Sequence, residues 1–200
     1  MVRNRDPFST ALESLRHRLA EGRYGDGAPI VIQYEAQRLR LSTTPVREAL
    51  AWLCGAGLVE RAPTAGYTAS RLDAGAVRDW YGFRRDCLLS SLEALTAPSA
   101  GSTLPEDLPG LFDWIVGRGG NNVRARAFRR VGLHLERLEA AEHHVLGDRE
   151  TATRDMLEAV SDNRMERLIA LIDSFHQARI SAAAELAFEV AHAPPDDGEL

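Results

Sequence analysis

The sequence predicts a mainly α-helical chain: three short helices and a two-stranded hairpin, followed by an all-α bundle. Three observations predict it. Apolar residues recur at three- and four-residue intervals through most of the 200 positions, the spacing that lines one face of a helix. The stretch "GLVERAPTAGYTASRL", residues 57–72, instead alternates on either side of a Pro-Thr-Ala-Gly break, as a hairpin does. Beyond it the chain carries no strand signal.

The first helix is expected from about Phe8 to Gly22, with Phe8, Leu12, Leu15 and Leu19 on its apolar face and the glycine-rich "EGRYGDGAP" as its stop. A short second helix fits "IQYEAQRL", and "RLS" makes a turn. A third helix begins in "TTPVREALAWLCGAG", with Val46, Leu50 and Leu53 on one face, Arg47 on another, and Gly55 and Gly57 at its end. Three helices and a β-hairpin wing in this order make a winged helix-turn-helix over residues 1–72.

Residues 73–200 read as a bundle of about five helices. Asp73 is a good N-cap for a helix that turns Val77, Trp80, Phe83, Cys87, Leu88 and Leu92 toward a core. After the "TAPSAGST" break, Thr103 and Glu106 have the spacing of a capping box ahead of Leu108, Leu111, Phe112 and Ile115. "GRGGNN" interrupts again, and further helices are expected over 123–146, 149–160 and 164–190, ahead of a polar tail, "APPDDGEL".

The net charge is -5, and all 24 basic residues are arginines. Residues 1–72 hold 10 arginines against 7 acids, a net +3, whereas the remainder holds 14 against 22, a net -8. A basic front on an acidic back suits a chain whose front meets a polyanion. No apolar run approaches the roughly 18 residues of a membrane span, and the start lacks the apolar core of a signal peptide, so a cytoplasmic protein is expected. Cys54 and Cys87 sit in apolar helical patterns, as reduced thiols acting as small hydrophobes. No nucleophile motif, phosphate loop or His-Glu-x-x-His pair occurs, which argues against an enzyme.

The stretch "LSTTPVREAL", residues 41–50, carries the functional expectation. Proline in a helix's first turn with hydroxyl residues ahead of it defines a rigid N-terminus. Its free N–H groups and positive dipole end favour phosphate, Ser42, Thr43 and Thr44 add hydroxyls, and Arg47 is placed to reach a phosphate or a base edge.

"LSTTPVREALAWLCGAGLVERAPTAGYTAS" resembles the recognition helix and wing of GntR-family bacterial transcription regulators, and the helical remainder is similar in architecture to the FCD effector domain of that family. The resemblance implies DNA contacts at Ser42, Thr43, Thr44 and Arg47, and at Ala65, Gly66 and Tyr67 of the wing. Where many members carry arginine this chain has Thr43, so Arg5, Arg38 or Arg40 would have to compensate.

The resemblance also implies a double-stranded DNA operator, a homodimer and a small-molecule effector, with Arg84 of "WYGFRR" where FCD domains often turn an arginine toward the effector. Many FCD domains hold a divalent metal through an aspartate and three histidines. The positions matching the first two ligands are Leu108 and Phe112, or Pro109 and Asp113 after a one-residue shift, and the later ones fall near Thr151 and Asp173. These do not supply the set, so no metal and no cofactor are expected. His134, His143, His144 and His176 read as surface or interface residues that could ligate only in another arrangement, with His143 and His144 about 100° apart on a helix. Without a metal, the ligand is expected to be largely apolar with one acidic group, held among Trp80, Phe112, Trp114 and Ile115 with Arg84 as its charged partner. Two competing readings are a helical interaction module whose winged domain has lost DNA binding, and a small metalloenzyme. Titration with genomic DNA and metal analysis respectively separate them from the regulator.

Overall fold

The structure, a computed structural model, describes residues 6–25, 27–62, 66–94 and 105–192. Helix α1 (Pro7–Ala20) opens with Asp6 as N-cap, whose carboxylate accepts from the Ser9 N–H at 3.3 Å, and buries Ala11, Leu15 and Leu19. Strand β1 (Pro29–Ile30) precedes α2 (Ile32–Leu39) and α3 (Thr43–Ala56). Strands β2 (Val59–Arg61) and β3 (Tyr67–Ala69) form the wing, and β1 adds to β3 to give an antiparallel sheet of order β1-β3-β2. The two residues of β1 are too few for alternation to reveal them.

The third helix ends at Gly57 alone. Its φ of 85° places it in the left-handed region, where its N–H and that of Leu58 close on Cys54 and Leu53 carbonyls. This is a Schellman end, which favours glycine because it lacks Cβ. Gly55 lies inside the helix. Val46, Leu50 and Leu53 are fully buried, as their spacing requires.

The rest of the chain is helical where described: α4 (Ala74–Leu92), α5 (Leu108–Arg118), α6 (Asn122–Leu135), a 3-10 turn (Glu136–Leu138), α7 (Glu139–Val145), α8 (Arg149–Ser161), α9 (Met165–Ser181) and α10 (Ala183–His192). The chain divides into two units, Met1–Leu72 with Phe188–Leu200, and Asp73–Ala187. In the second unit Leu88, Leu111, Ile115, Met156 and Ile172 are fully buried and Leu168 is 1% exposed, the centre of one apolar core.

Three expectations need correction here. Phe83 is 41% exposed while Tyr81 is fully buried. The buried stripe of α4 runs through Val77, Tyr81, Leu88 and Leu92, steps of four and seven, whereas repeated steps of three drift about 60° each and leave the face. Helix α5 begins at Leu108 with Asp107 as its cap, accepting from the Gly110 N–H at 2.7 Å; Thr103 lies outside the described residues. The single helices expected over 123–146 and 164–190 are each divided, the first by the 3-10 turn and the second at Ala182, so the bundle has more than five helices. Apolar spacing cannot distinguish a tightened turn from a continuous helix, and "SAAAE" carries no breaking residue. No helix among the described residues is long and apolar enough to cross a membrane.

Candidate nucleic-acid interface and buried polar cluster

Helix α3 presents its N-terminus at the surface. Ser42 occupies the N-cap position with extended backbone but makes no side-chain cap bond, so its hydroxyl is not used in capping, contrary to the sequence expectation. Thr43 is half-buried and Thr44 exposed, and Pro45, buried at the third helical position, fixes the first turn. Arg47 is exposed one turn further on, and no acid pairs with it among the described residues. The free backbone N–H groups, the hydroxyls and this guanidinium form a donor-rich surface of the kind that meets phosphate.

At the wing, Gly66 has φ 103° and its carbonyl accepts from the Ala62 N–H at 3.1 Å, closing the hairpin tip. A side chain at this φ would be strained. Tyr67, half-buried, pairs with Arg61 on one side and Ile30 on the other. Ala65 lies outside the described residues, as does Arg5.

The other two arginines proposed to offset Thr43 differ in their surroundings. Arg38 is engaged: its Nε and Nη2 donate to Glu35 Oε2 at 3.0 and 2.8 Å, and Nη2 also donates to Ser14 Oγ at 2.6 Å. Glu35 is only 1% exposed and also meets Arg18 Nε at 3.4 Å, so this cluster ties α2 to α1. Arg40 is exposed in the turn between α2 and α3, with φ 55°. It terminates α2 in the left-handed conformation that glycine adopts more cheaply.

In the bundle a second polar cluster is buried. Glu142 of α7, 2% exposed, accepts from the Tyr81 hydroxyl of α4, from Arg179 Nε of α9 at 3.0 Å, and from Arg149 Nη1 of α8 at 3.5 Å. Arg179, fully buried, also grips Asp148 with both terminal nitrogens, at 3.2 and 2.8 Å. That grip holds the Asp148 carboxyl below its usual range. Burial, reinforced by the neighbouring Glu142 charge, pushes the Tyr81 phenol well up.

Arg84 is placed differently. Its Nε donates to His176 Nε2 at 3.0 Å, and its guanidinium lies 5.0 Å from the Tyr81 ring centre and 5.4 Å from that of Phe112. Arg149 is paired with Glu139 and Glu142, and Arg179 with Glu142 and Asp148. Among the described residues, Arg84 has no carboxylate. Burial draws its pKa down, but an arginine starts so high that it stays charged.

The histidine expectation is corrected for two residues. His176 is fully buried and His134 is 9% exposed and stacked on Trp80 at 4.4 Å, while His143 and His144 are exposed. His176 does not suit a metal: its Nδ1 faces the Ile172 carbonyl at 2.7 Å and its Nε2 already accepts from a cation. Among the described residues no group of three His, Cys, Asp or Glu side chains could hold an ion. Phe112 and Ile115 belong to the closed core, and Trp114 packs beside it beneath Arg118. An open cleft of about 820 Å³ lies elsewhere in this unit, bordered by Glu106, Glu139, His143, Arg149 and Arg154.

Residues 8–68 match the family model described as bacterial regulatory proteins, gntR family. This segment is a GntR-family helix-turn-helix domain. The whole chain shares its fold with E. coli McbR/YncC, at 17% identity and a TM-score of 0.65, covering 90% of this chain and 98% of that one. A structure titled for a transcriptional regulator GntR from Rhodococcus sp. RHA1 gives 15% identity and a TM-score of 0.71, with coverages of 88% and 96%. A structure titled for Lar, which controls expression of the Listeria monocytogenes agr system, gives 13%, 0.53, 90% and 97%. No curated protein sequence matches the chain significantly. The chain thus has a GntR-family domain at residues 8–68, and as a whole it shares the mainly helical fold of these solved structures, a winged domain followed by helices.

Within the GntR domain, sequence reasoning missed Glu35, although its i,i+3 spacing to Arg38 was the available signal. In the bundle it missed Tyr81, Glu142 and Arg179, which are 61 and 37 residues apart along the chain and carry no shared motif.

Proposed function

We propose that this protein is a DNA-binding transcription regulator of the cytoplasm, dimeric on a twofold operator, and controlled by a small acidic effector in its helical unit. Residues 1–72 would supply DNA recognition and residues 73–200 dimerisation and sensing, as in the FCD arrangement that the sequence resembles. The reading of DNA through Ser42, Thr43, Thr44, Arg47 and the wing residues Ala65, Gly66 and Tyr67 is supported chiefly by one observation: among the described residues, the Ser42 hydroxyl and the Arg47 guanidinium are left unused at an exposed helix N-terminus. The effector reading is supported by Arg84, a cation among aromatic rings that, among the described residues, lacks the carboxylate its neighbours have. The ligand would be largely apolar with one acidic group, and would require no metal.

Genomic fragments captured by the full chain should yield a twofold sequence, and sedimentation at micromolar concentration should give a dimer. Benzoate and its neutral analogue benzamide test the effector site. Benzoate should raise the melting temperature of the wild-type protein, benzamide should not, and Arg84→Met, which keeps most of the packing, should abolish the response. Equal responses to the two compounds, or a benzoate response that survives Arg84→Met, would remove Arg84 from the site.

A further inference from the structure

Helix α7 is poorly anchored by apolar packing. Of its seven residues only Ala141 and Glu142 are buried, and its hold on α4 and α9 comes largely from the Glu142 carboxylate, which receives donors from both, while Glu139 and Glu142 pair with Arg149 of α8. A 3-10 segment precedes it, and Gly147, at φ 61°, follows it. On one side Glu139 and His143 border the open cleft, which leaves space beside α7.

The donors held by Glu142 lie beside the guanidinium that lacks an acid. The Tyr81 ring faces Arg84 while its hydroxyl is spent on Glu142, and the charges of Glu142 and Arg179 both act on Arg84. Glu142 is the one buried carboxylate among the described residues of this unit. Stripping it from Arg179 would ordinarily be prohibitive, because a buried charge would lose a partner. Another carboxylate arriving at the same donors removes that objection: the interior charge is unchanged and Glu142 leaves into water.

We propose that Glu142 is a built-in occupant of an anion site formed by Tyr81, Arg84 and Arg179, that a small carboxylic acid displaces it, and that the displacement releases α7 from the bundle. This rests on the effector reading above and adds what the effector does on arrival. The carboxylate bonds to Arg84 first, then takes the Tyr81 hydroxyl and Arg179 Nε from Glu142, and α7 loses its tether to α4 and α9.

Hydrogen exchange of the full-length protein, read on peptides covering 139–147, tests this with benzoate as the probe. Glu142→Gln and Tyr81→Phe, the second a deletion of one hydroxyl within a retained ring, should each speed exchange in 139–147, about tenfold or more for Glu142→Gln, while α4 and α9 stay protected. Millimolar benzoate should speed exchange of 139–147 in the wild-type protein, and Glu142→Gln should bind benzoate more tightly. Unchanged exchange in both variants overturns the tether. Benzoate that raises the melting temperature through Arg84 yet slows exchange in 139–147 overturns displacement while leaving the effector reading intact. Benzoate without effect on melting temperature or exchange overturns both.

Discussion

Arg84 donates its Nε–H to Nε2 of His176, 3.0 Å away. An arginine cannot accept, so Nε2 carries the lone pair and the proton sits on Nδ1, where the Ile172 carbonyl accepts it at 2.7 Å. The imidazole is therefore held neutral by its bonding as well as by burial and the adjacent Arg84 charge, which together push its pKa well below the ordinary value.

A pH dependence follows. Below about pH 6.5 the unfolded chain binds a proton at His176 that the folded protein refuses, so the unfolded state binds more protons and stability falls as pH falls. The loss runs from about pH 6.5 down to the depressed folded pKa, at up to about 1.4 kcal/mol per pH unit. In His176→Gln the amide oxygen can still accept from Arg84 but does not titrate. Urea unfolding at pH 7.5 and 5.5 should show the wild-type protein losing more stability than this variant. Equal losses would mean that His176 becomes protonated in the fold.

Arg40 offers a separation of stability from binding. Its φ of 55° strains a residue that bears a Cβ, and Arg40→Gly should stabilise the domain by about 1 kcal/mol. If the exposed guanidinium beside Ser42 contacts DNA, the same variant should bind operator more weakly and with a shallower salt dependence. A variant that is more stable and binds equally well would leave Arg40 with no part in DNA recognition.

Chelation is expected to do nothing. A resident metal at a hundred times its Kd would contribute about 2.7 kcal/mol of stability, which for a chain of this size is several degrees of melting temperature. Thermal unfolding with and without chelator should superimpose. A drop of that magnitude, with stoichiometric zinc or nickel by elemental analysis, would return the histidines to the centre of the mechanism.

The GntR domain was legible because its signals are local. Val46, Leu50 and Leu53 announce one helix face, and Pro45, Gly57 and Gly66 each mark a turn or a helix end by their own backbone chemistry. The bundle's apolar core was legible for the same reason at Leu88, Leu111 and Ile115. Its polar interior was not. Tyr81, Glu142 and Arg179 each resemble an ordinary helical residue until the fold brings them together, and His176 resembles a surface histidine until Arg84 is seen to bond to it. The 3-10 turn before α7 was hidden because a tightened turn preserves apolar spacing.

The central claim is that the N-terminus of α3 reads DNA, and an operator titration of Arg47→Ala tests it most directly. Fluorescence anisotropy should be followed over a range of salt concentrations with an operator recovered from genomic selection. Loss of the Arg47 contact is expected to weaken binding by about 1–3 kcal/mol and, where that contact is to phosphate, to reduce the salt slope by about one, with melting temperature unchanged. Wild-type affinity and salt slope in a correctly folded Arg47→Ala protein would contradict the account.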